Sequence, residues 1–141
     1  GTYDITANID GITEVQAGTY LLMDLHYHRY VPEFEVALSV LSTVISKPSP
    51  HRAITDMGLM SMNTSAGLPS LRGHPEVEVV ELHAENAILR SKGRMRLRIG
   101  ERLEFYPSYL DGTVNLFDRV HAMRNGRLEA VWAIGGRGRS F

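Results

Sequence analysis

The 141-residue chain has no cysteine, so disulfide bonds, a thiolate nucleophile and a cysteine-ligated zinc site are excluded. Its formal net charge is only −1, which gives no electrostatic reason to expect nucleic acid or an anionic membrane as a partner. It has no apolar run near the ~20 residues that a membrane-spanning helix requires, and no charged-then-apolar secretory leader. These absences lead us to expect a cytoplasmic protein with no nucleic-acid or membrane partner.

Patterns that would indicate helices are also scarce, and residues 3–8 are the one stretch that we expect to form a short helix. Alternation of apolar and polar residues, the pattern of half-buried strands, is frequent instead. It is clearest where Met95, Leu97 and Ile99 alternate with arginines, so that one strand face is apolar and the other is charged. Further strands are expected at residues 12–15, 19–25, 36–45, 52–55, 77–82, 87–90 and 103–105.

Two turn signals complete the predicted fold. The dipeptide Asn125-Gly126, between strand patterns at residues 119–124 and 127–134, predicts a type I′ hairpin because both turn positions require a positive φ. Residues 60–75 are rich in Ser, Asn, Gly and Pro and predict a long loop, which in a compact domain is usually functional or mobile. We therefore predict a mainly β fold, an antiparallel β-barrel or sandwich from about Phe34 onward. Its interior is expected to contain Leu97, Ile99, Leu103 and Trp132.

Three patterns could bind ions, but each also has a simpler interpretation. His26 and His28 would lie on one face of a strand, a spacing that zinc sites use, although a polar strand end is the simpler interpretation. The arginines within residues 94–98 could bind phosphates, but glutamates close in sequence offset their charge and favour a solvated strand face. Glu85 and Asp111 could form an acid–base pair or ligate a hard cation, or they could be two exposed carboxylates.

Six stretches resemble, in the same order, the D-threonine aldolase and D-serine dehydratase-like family of pyridoxal-phosphate enzymes. They are residues 11–24 (GITEVQAGTYLLMD), 34–48, 53–58, 84–89, 99–119 and 131–139. In this family an alanine-racemase-like α/β-barrel carries the cofactor, and a β-domain follows the barrel. The resemblance implies that residues 1–30 are the last, incomplete segment of such a barrel and that residues 31–141 are the C-terminal β-domain. It also implies a lyase that acts on small-molecule β-hydroxy-D-amino acids.

The resemblance further implies where pyridoxal 5′-phosphate would bind. Gly1 and Thr2 match a phosphate loop, and glycines of this kind let the backbone approach an anion closely. A second backbone contact to the same phosphate is implied for Gly18, Thr19 and Tyr20. Gln16 takes the position at which related racemases place an arginine beside the pyridine nitrogen. A neutral amide there would change how strongly the ring withdraws electrons.

The chain departs from the family at the metal ligands. It has Glu85-Asn86-Ala87 where family members show Glu-His-Gly, and Tyr109 where they show a histidine two positions before Cys or Asp. Only Asp111 matches a ligand position, and imidazole supplies much of the affinity of such sites. We therefore expect no tightly bound divalent metal at Asn86, Tyr109 and Asp111. Tyr109 and Asp111 are instead the expected catalytic residues, facing the β-substituent of the substrate, with Tyr109 as a proton donor or hydrogen-bond partner of the hydroxyl.

The family's Schiff-base lysine lies early in the barrel, which would place it upstream of Gly1. The only lysines of this chain, Lys47 and Lys92, lie in the β-domain portion, so the chain alone is expected to be inactive. In the whole protein we expect a head-to-tail homodimer with composite active sites, in which the β-domain of one chain covers the barrel mouth of the other. Asp56, Tyr109 and Asp111 are expected to approach the cofactor of the other chain or of their own barrel. Two alternatives remain open: a diverged racemase or deaminase of the same fold, or a non-catalytic β-barrel binding module.

Overall fold

The computed structural model describes residues 2–139, so Gly1, an expected phosphate contact, lies outside the described residues. The regular structure is mostly β. The strands are β1 (Val40–Ser49), β2 (Arg52–Thr55), β3 (Ser70–Leu71), β4 (Val77–Leu82), β5 (Ala87–Ser91), β6 (Arg102–Tyr106), β7 (Arg119–Arg124) and β8 (Arg127–Ala133). The helices are α1 (Tyr3–Thr6), α2 (Leu25–His28) and α3 (Leu110–Val114), and Thr19–Leu21 form a 3-10 turn.

Six strands form one antiparallel sheet in the order β3-β6-β1-β2-β5-β4. Strand β1 is long enough to pair with two neighbours: its first residues pair with β6, from Val40↔Phe105 to Thr43↔Arg102. Its remaining residues pair with β2, from Val44↔Thr55 to Ser49↔Arg52, across two register irregularities. The two edge strands, β3 and β4, also approach each other, so the sheet curves into a nearly closed barrel. The predicted mainly β, antiparallel barrel-like fold is confirmed.

The core fills the inside of this barrel with one face of each strand. Val40 and Val44 of β1, Leu103 and Phe105 of β6, and Val77 and Val79 of β4 show the period-two burial expected of strands with one buried face. The extended segment that precedes β6 adds Leu97, so the predicted burial of Leu97 and Leu103 is confirmed. Each such side chain contributes about 1.5–3 kcal/mol when it leaves water.

Two residues that we expected in the interior lie outside it. Ile99 is 67% exposed, because the alternation ends in a turn at residues 98–101, where Gly100 has a φ of 85°. The preceding residues 94–98 are extended without a strand ladder; Lys47 Nζ instead donates to Met95 O at 2.7 Å and to Leu97 O at 2.8 Å. Trp132 is 60% exposed, because β7 and β8 form a separate two-stranded sheet.

The turn of that hairpin matches the prediction from Asn125-Gly126. The two residues have φ values of 50° and 74°, as a type I′ turn requires, and Arg124 pairs with Arg127 across it. Neither hairpin strand pairs with a strand of the six-stranded sheet within the described residues.

The region before β1 contains fewer strands than expected. The predicted helix is confirmed at α1, but residues 12–15 and 36–39 form no strand, and residues 19–25 form the 3-10 turn and the start of α2. A strand exists only where a second strand satisfies its backbone groups, and no ladder pairs these segments with a described strand. His26 and His28 therefore belong to one turn of helix rather than one face of a strand. The His28 ring bonds to Phe34 O at 2.9 Å, whereas His26 packs against tyrosines.

Within residues 2–139, no helix is both long enough and apolar enough to span a bilayer.

Candidate active site

The two expected catalytic residues lie between the end of β6 and the first turn of α3. Pro107 follows the strand, Tyr109 is extended with φ −139° and ψ 110°, and Asp111 is in the first turn of α3. Leu110 between them is buried, which leaves Tyr109 half-buried and Asp111 exposed on either side of it. A carboxylate in the first helical turn is also favoured by the partial positive charge of the helix N-terminus. The structure therefore presents a phenol and a carboxylate two residues apart at the surface.

Asp24 joins this turn to the region before the barrel. Its side chain is 1% exposed, and its Oδ2 accepts from the Leu110 N–H at 2.8 Å, across 86 positions of sequence. The Leu25 N–H donates to Pro107 O at 3.0 Å. Tyr20 is four residues from Asp24, so their Cα atoms are at most ~14 Å apart. Asp24, four residues after Tyr20, is thus hydrogen-bonded directly to the turn that contains Tyr109 and Asp111.

The loop after β2 supports α3 from another side. The Asn63 N–H donates to Thr113 Oγ1 at 3.2 Å, and this hydroxyl donates to Tyr109 O at 2.8 Å. A Cβ on Gly112 would lie 2.5 Å from Asn63 Cγ, so the loop and helix touch where only glycine fits. The Ser108 hydroxyl donates to Gly67 O in the same loop. The loop predicted over residues 60–75, which also contains β3, is therefore packed against α3.

Glu85 and Asn86 lie on a turn that contacts the backbone just after β2. A Cβ on Gly58 would lie 2.4 Å from His83 O and 2.5 Å from Asn86 N. The side-chain amide of Asn86 donates to Thr55 O at 3.2 Å, whereas Glu85 is exposed. No hydrogen bond among the described residues links Glu85 or Asn86 to Tyr109 or Asp111. In the part of the chain that the structure describes, no three His, Asp or Glu side chains are grouped so that they could hold a metal ion.

The Gly18–Tyr20 turn offers accessible backbone donors. Its carbonyls are used locally: Gly18 O accepts from Leu21 N at 3.3 Å, and Thr19 O accepts from Met23 N at 2.7 Å. The N–H groups of Thr19 and Tyr20 donate to no atom of residues 2–139. A Cβ on Gly18 would meet nothing within 4 Å, so this backbone is open to a ligand.

Phe34, which the sequence patterns did not single out, packs against a tyrosine that follows each of the two expected phosphate contacts. Its ring packs against Tyr3 at 5.5 Å and against Tyr20 at 5.7 Å between centroids, so Thr2 and Thr19 each precede a tyrosine on the same ring. The Tyr3 hydroxyl donates to Glu33, which raises the pKa of Tyr3 to about 12 and lowers the pKa of Glu33. The alternating patterns used above carry no signal for such an aromatic cluster.

Gln16 and Asp56, which we expected near the cofactor, form hydrogen bonds with other parts of the described chain. The Gln16 amide is exposed and donates to Glu14 Oε1 at 2.9 Å, and no hydrogen bond within residues 2–139 ties it to the Gly18–Tyr20 turn. The Asp56 carboxylate accepts from the Thr43 N–H at 2.7 Å and from the Ser42 hydroxyl at 2.8 Å. The Thr43 N–H is the main cause that lowers the pKa of Asp56. Asp56 is thus bound to β1, and nothing in the described chain links it to Tyr109 or Asp111.

Comparison with known proteins identifies the family. The sequence profile described as "Putative serine dehydratase domain" matches residues 37–123 of this chain. The chain belongs to this family. It is 36% identical over 143 aligned positions to a D-threonine aldolase of Arthrobacter sp. and 31% identical over 150 positions to a 3-hydroxy-D-aspartate aldolase of Paracoccus denitrificans. These alignments cover 98% and 100% of this chain but only 38% of each relative, so the chain spans well under half of their length.

Solved structures of the family share the fold. The D-threonine aldolase from Filomicrobium marinum superposes with a TM-score of 0.91 at 28% identity, over 98% of this chain and 40% of that chain. D-threo-3-hydroxyaspartate dehydratase from Delftia sp. HT23 gives a TM-score of 0.75 at 27% identity, over 94% and 40% of the two chains. An alanine racemase-like protein of Idiomarina loihiensis, at 21% identity and a TM-score of 0.72, has the same fold. The family resemblance found in the six stretches is confirmed.

Proposed function

We propose that this chain is the C-terminal part of a pyridoxal-phosphate-dependent lyase that acts on small β-hydroxy-D-amino acids. In this proposal residues 1–30 complete the cofactor barrel of the whole protein and residues 31–141 form its β-domain. The observation that supports the proposal is the hydrogen bond from Leu110 to Asp24, which joins the segment after the expected cofactor turn to the turn that contains Tyr109 and Asp111. Family members with the same fold are named for aldol cleavage or dehydration of such amino acids.

The residues present fit the cofactor's phosphate. The Thr19 and Tyr20 N–H groups donate to no atom of residues 2–139 and lie in an open turn, and Tyr3, next to Thr2, packs on the same Phe34 ring as Tyr20, which supports a shared phosphate contact. Backbone N–H groups in such a turn suit an anion. Gln16 is the proposed neutral partner of the pyridine nitrogen. When bound, pyridoxal phosphate supplies an electron sink for the bond that is broken at Cα.

Tyr109 and Asp111 would transfer protons to and from the β-hydroxyl and form hydrogen bonds with it. In aldol cleavage the hydroxyl proton leaves, the Cα–Cβ bond breaks to release an aldehyde, and Cα takes up a proton to give glycine. The exposed Asp111 carboxylate would accept that proton, and the Tyr109 hydroxyl would hold the oxygen by a hydrogen bond. In dehydration the Cα–H proton is removed, Tyr109 would instead donate a proton to the departing hydroxyl, and water leaves. Hydrolysis of the resulting enamine by water then gives a 2-keto acid and ammonia.

The test uses the full-length protein, incubated with pyridoxal phosphate and either D-threonine or D-threo-3-hydroxyaspartate. Glycine with acetaldehyde or glyoxylate indicates cleavage; ammonia with 2-oxobutanoate or oxaloacetate indicates dehydration. Tyr109→Phe and Asp111→Asn are expected to lower kcat by about 100-fold or more, within the range for general acid–base groups. Glu78→Gln, at an exposed carboxylate on β4, is the matched control and should retain activity. Conversion of a D-amino acid to its L form would favour a racemase, and absence of every product would contradict the proposal.

We also propose that the whole protein is a cytoplasmic homodimer. The apolar side chains exposed on the β7–β8 hairpin, among them Met123, Leu128 and Trp132, support an interface. The bond from Asp24 to Leu110 lies within one chain, which favours catalytic groups that serve their own chain's cofactor. A mixture of a variant without the Schiff-base lysine and a Tyr109→Phe, Asp111→Ala variant should therefore remain inactive. Restored activity would show that the sites are shared between chains.

A further inference from the structure

Residues 24 and 25 make two hydrogen bonds that bracket Tyr109. The Leu25 N–H donates to Pro107 O at 3.0 Å, two residues before Tyr109, and the Leu110 N–H donates to Asp24 Oδ2 at 2.8 Å, one residue after it. A residue that is held on both sides along the chain retains little backbone freedom. The position of Tyr109 is therefore set by a segment far away in sequence.

The Asp24 side chain caps the N-terminus of α3, where the N-cap residue Tyr109 makes no capping hydrogen bond of its own. The first N–H groups of a helix have no partner within the helix, and the Tyr109 side chain, at the N-cap position, makes no capping hydrogen bond. The Asp24 carboxylate accepts from the Leu110 N–H in its place. Its other oxygen, Oδ1, accepts from the Tyr27 N–H at 2.9 Å and caps α2. One buried carboxylate thus serves two helices.

The backbone just before Asp24 is strained in a way that fits this role. Met23 has a φ of 53°, a conformation that residues other than glycine rarely adopt, and its side chain is 1% exposed. Such conformations persist only where the surroundings over-determine them, and they concentrate at functional sites. Here the turn at Met23 leads directly from the 3-10 turn to the carboxylate that contacts α3.

We infer that Asp24 is a positioning residue that fixes Tyr109 and Asp111 relative to the Gly18–Tyr20 turn. The carboxylate holds α2 with one oxygen and the first turn of α3 with the other, so the distance between the two halves of the site depends on this side chain. The catalytic consequence rests on the proposed function, whereas the hydrogen bonds do not.

Two substitutions separate the two bonds of Asp24 in the full-length protein. Asp24→Ser keeps a good N-cap for α2, but a single, shorter hydroxyl cannot reach both N–H groups. Asp24→Asn keeps the shape, but its amide can accept only one of the two bonds and turns an N–H₂ group toward the other donor. Val44→Ala is the matched control, because it removes buried volume from the barrel core without touching Asp24.

Hydrogen exchange of the Leu110 amide tests the bond without any need for activity. Loss of a bond to a charged acceptor is expected to speed its exchange by about 10-fold or more in Asp24→Ser, with a smaller effect in Asp24→Asn. Val44→Ala should not change the exchange of Leu110 relative to its neighbours in α3. Unaltered exchange in both Asp24 variants would show that the bond does not exist.

Steady-state kinetics with pyridoxal phosphate and D-threonine or D-threo-3-hydroxyaspartate test the consequence. Misplacement of catalytic groups by about 1 Å can cost about 100-fold in rate, so Asp24→Ser should lower kcat by about 10- to 100-fold with KM nearly unchanged. Val44→Ala, at a temperature where it is fully folded, should leave both constants as they are. Rapid Leu110 exchange with an unchanged kcat would overturn the positioning role. Wild-type protein that turns over neither amino acid would refute the proposed function, and Leu110 exchange would still decide the bond.

Discussion

Large apolar side chains occur both in the six-stranded barrel and in the two regions that flank it, but only those of the barrel are buried. In the barrel, alternate apolar side chains such as Val44, Leu89 and Phe105 are removed from water. The flanking regions are residues 2–22 and the β7–β8 hairpin, and their large apolar side chains are exposed. They include Ile5, Ile9, Ile12, Leu21, Met123, Leu128, Val131 and Trp132. An apolar stripe becomes a core only where a second layer faces it, and a lone hairpin is marginally stable in water. The flanking regions therefore leave large apolar side chains in water, which supports the contacts proposed above for the whole protein.

The largest expected effect of a single substitution is in the barrel core. Phe105 is fully buried on β6, so Phe105→Ala should lower the free energy of unfolding by about 3–5 kcal/mol through lost contacts and a cavity. Urea denaturation of the full-length protein, followed by circular dichroism, measures this value. Phe105→Leu is the control and should cost much less. A loss below about 1 kcal/mol for the alanine variant would contradict the comparison, because the core would then be no tighter than the flanks.

A medium loss in the free energy of unfolding is expected for Gly58→Ala, because two backbone segments approach each other closely at this glycine. A Cβ on Gly58 would lie 2.4 Å from His83 O, and neither backbone can move without disturbing β2 or the turn before β5. Gly58→Ala should therefore cost about 1–3 kcal/mol, the range for overpacking. Gly93→Ala is the matched control, since its added Cβ meets nothing within 4 Å. Equal stabilities of the two variants by urea denaturation would mean that this close approach does not exist.

The stability contributed by the Asp56 carboxylate is expected to be smaller and to depend on pH. The Thr43 N–H and the Ser42 hydroxyl lower the pKa of Asp56 in the folded protein, so the carboxylate stabilises the fold above its unfolded pKa. This contribution should disappear as the pH falls below about 4, through the folded pKa. Asp56→Asn should thus be less stable than wild type near neutral pH and approach it in acid. Melting temperatures of both proteins between pH 7 and pH 3 measure the difference, and a constant gap across this range would count against the prediction.

The smallest effect on unfolding is expected in the hairpin. Trp132 is 60% exposed, so Trp132→Ala should change the free energy of unfolding of the barrel by less than about 0.5 kcal/mol, as for other surface sites. The same variant should weaken self-association, measured by sedimentation of the full-length protein over a range of concentrations. Arg124→Ala, an exposed charge on the same hairpin, is the control. A large loss of barrel stability with unchanged association would reverse the roles assigned to the two regions.

The same contrast explains which features could be predicted from the sequence. Strands β2 and β4 lie where their patterns predicted them, and the Asn125-Gly126 turn has the expected φ values, because local patterning and turn chemistry determine those features. The pattern of Met95 and Leu97 also predicted their burial, but it could not show that Ile99 falls in a turn. Alternation shows that a strand has an apolar face, but not whether other elements pack against that face. The prediction that Trp132 lies in the interior was wrong for this reason.

The candidate site shows a different limit. Tyr109 and Asp111 could be selected by position in a family pattern, since the motif around them is contiguous. Asp24 and Phe34 could not, because their roles arise from contacts with residues far away in the chain. A single acidic residue at the end of an apolar run looks the same in sequence whether it is solvated or bonded to a helix 86 positions later. Only the hydrogen bonds of Asp24 and Leu25 with Leu110 and Pro107 reveal the difference.

The contacts of Lys47 have a consequence for chemical labelling. Its ammonium group donates to two carbonyls of the segment that precedes β6, whereas Lys92, the other lysine of the chain, is exposed. An amine-reactive reagent must break both bonds before it can acylate Lys47, and acylation would leave those carbonyls with at most one donor. Lys92 should therefore be modified first, and modification of Lys47 should follow only when residues 94–98 separate from β1. The pair of lysines thus reports, within one digest, whether the barrel wall has opened.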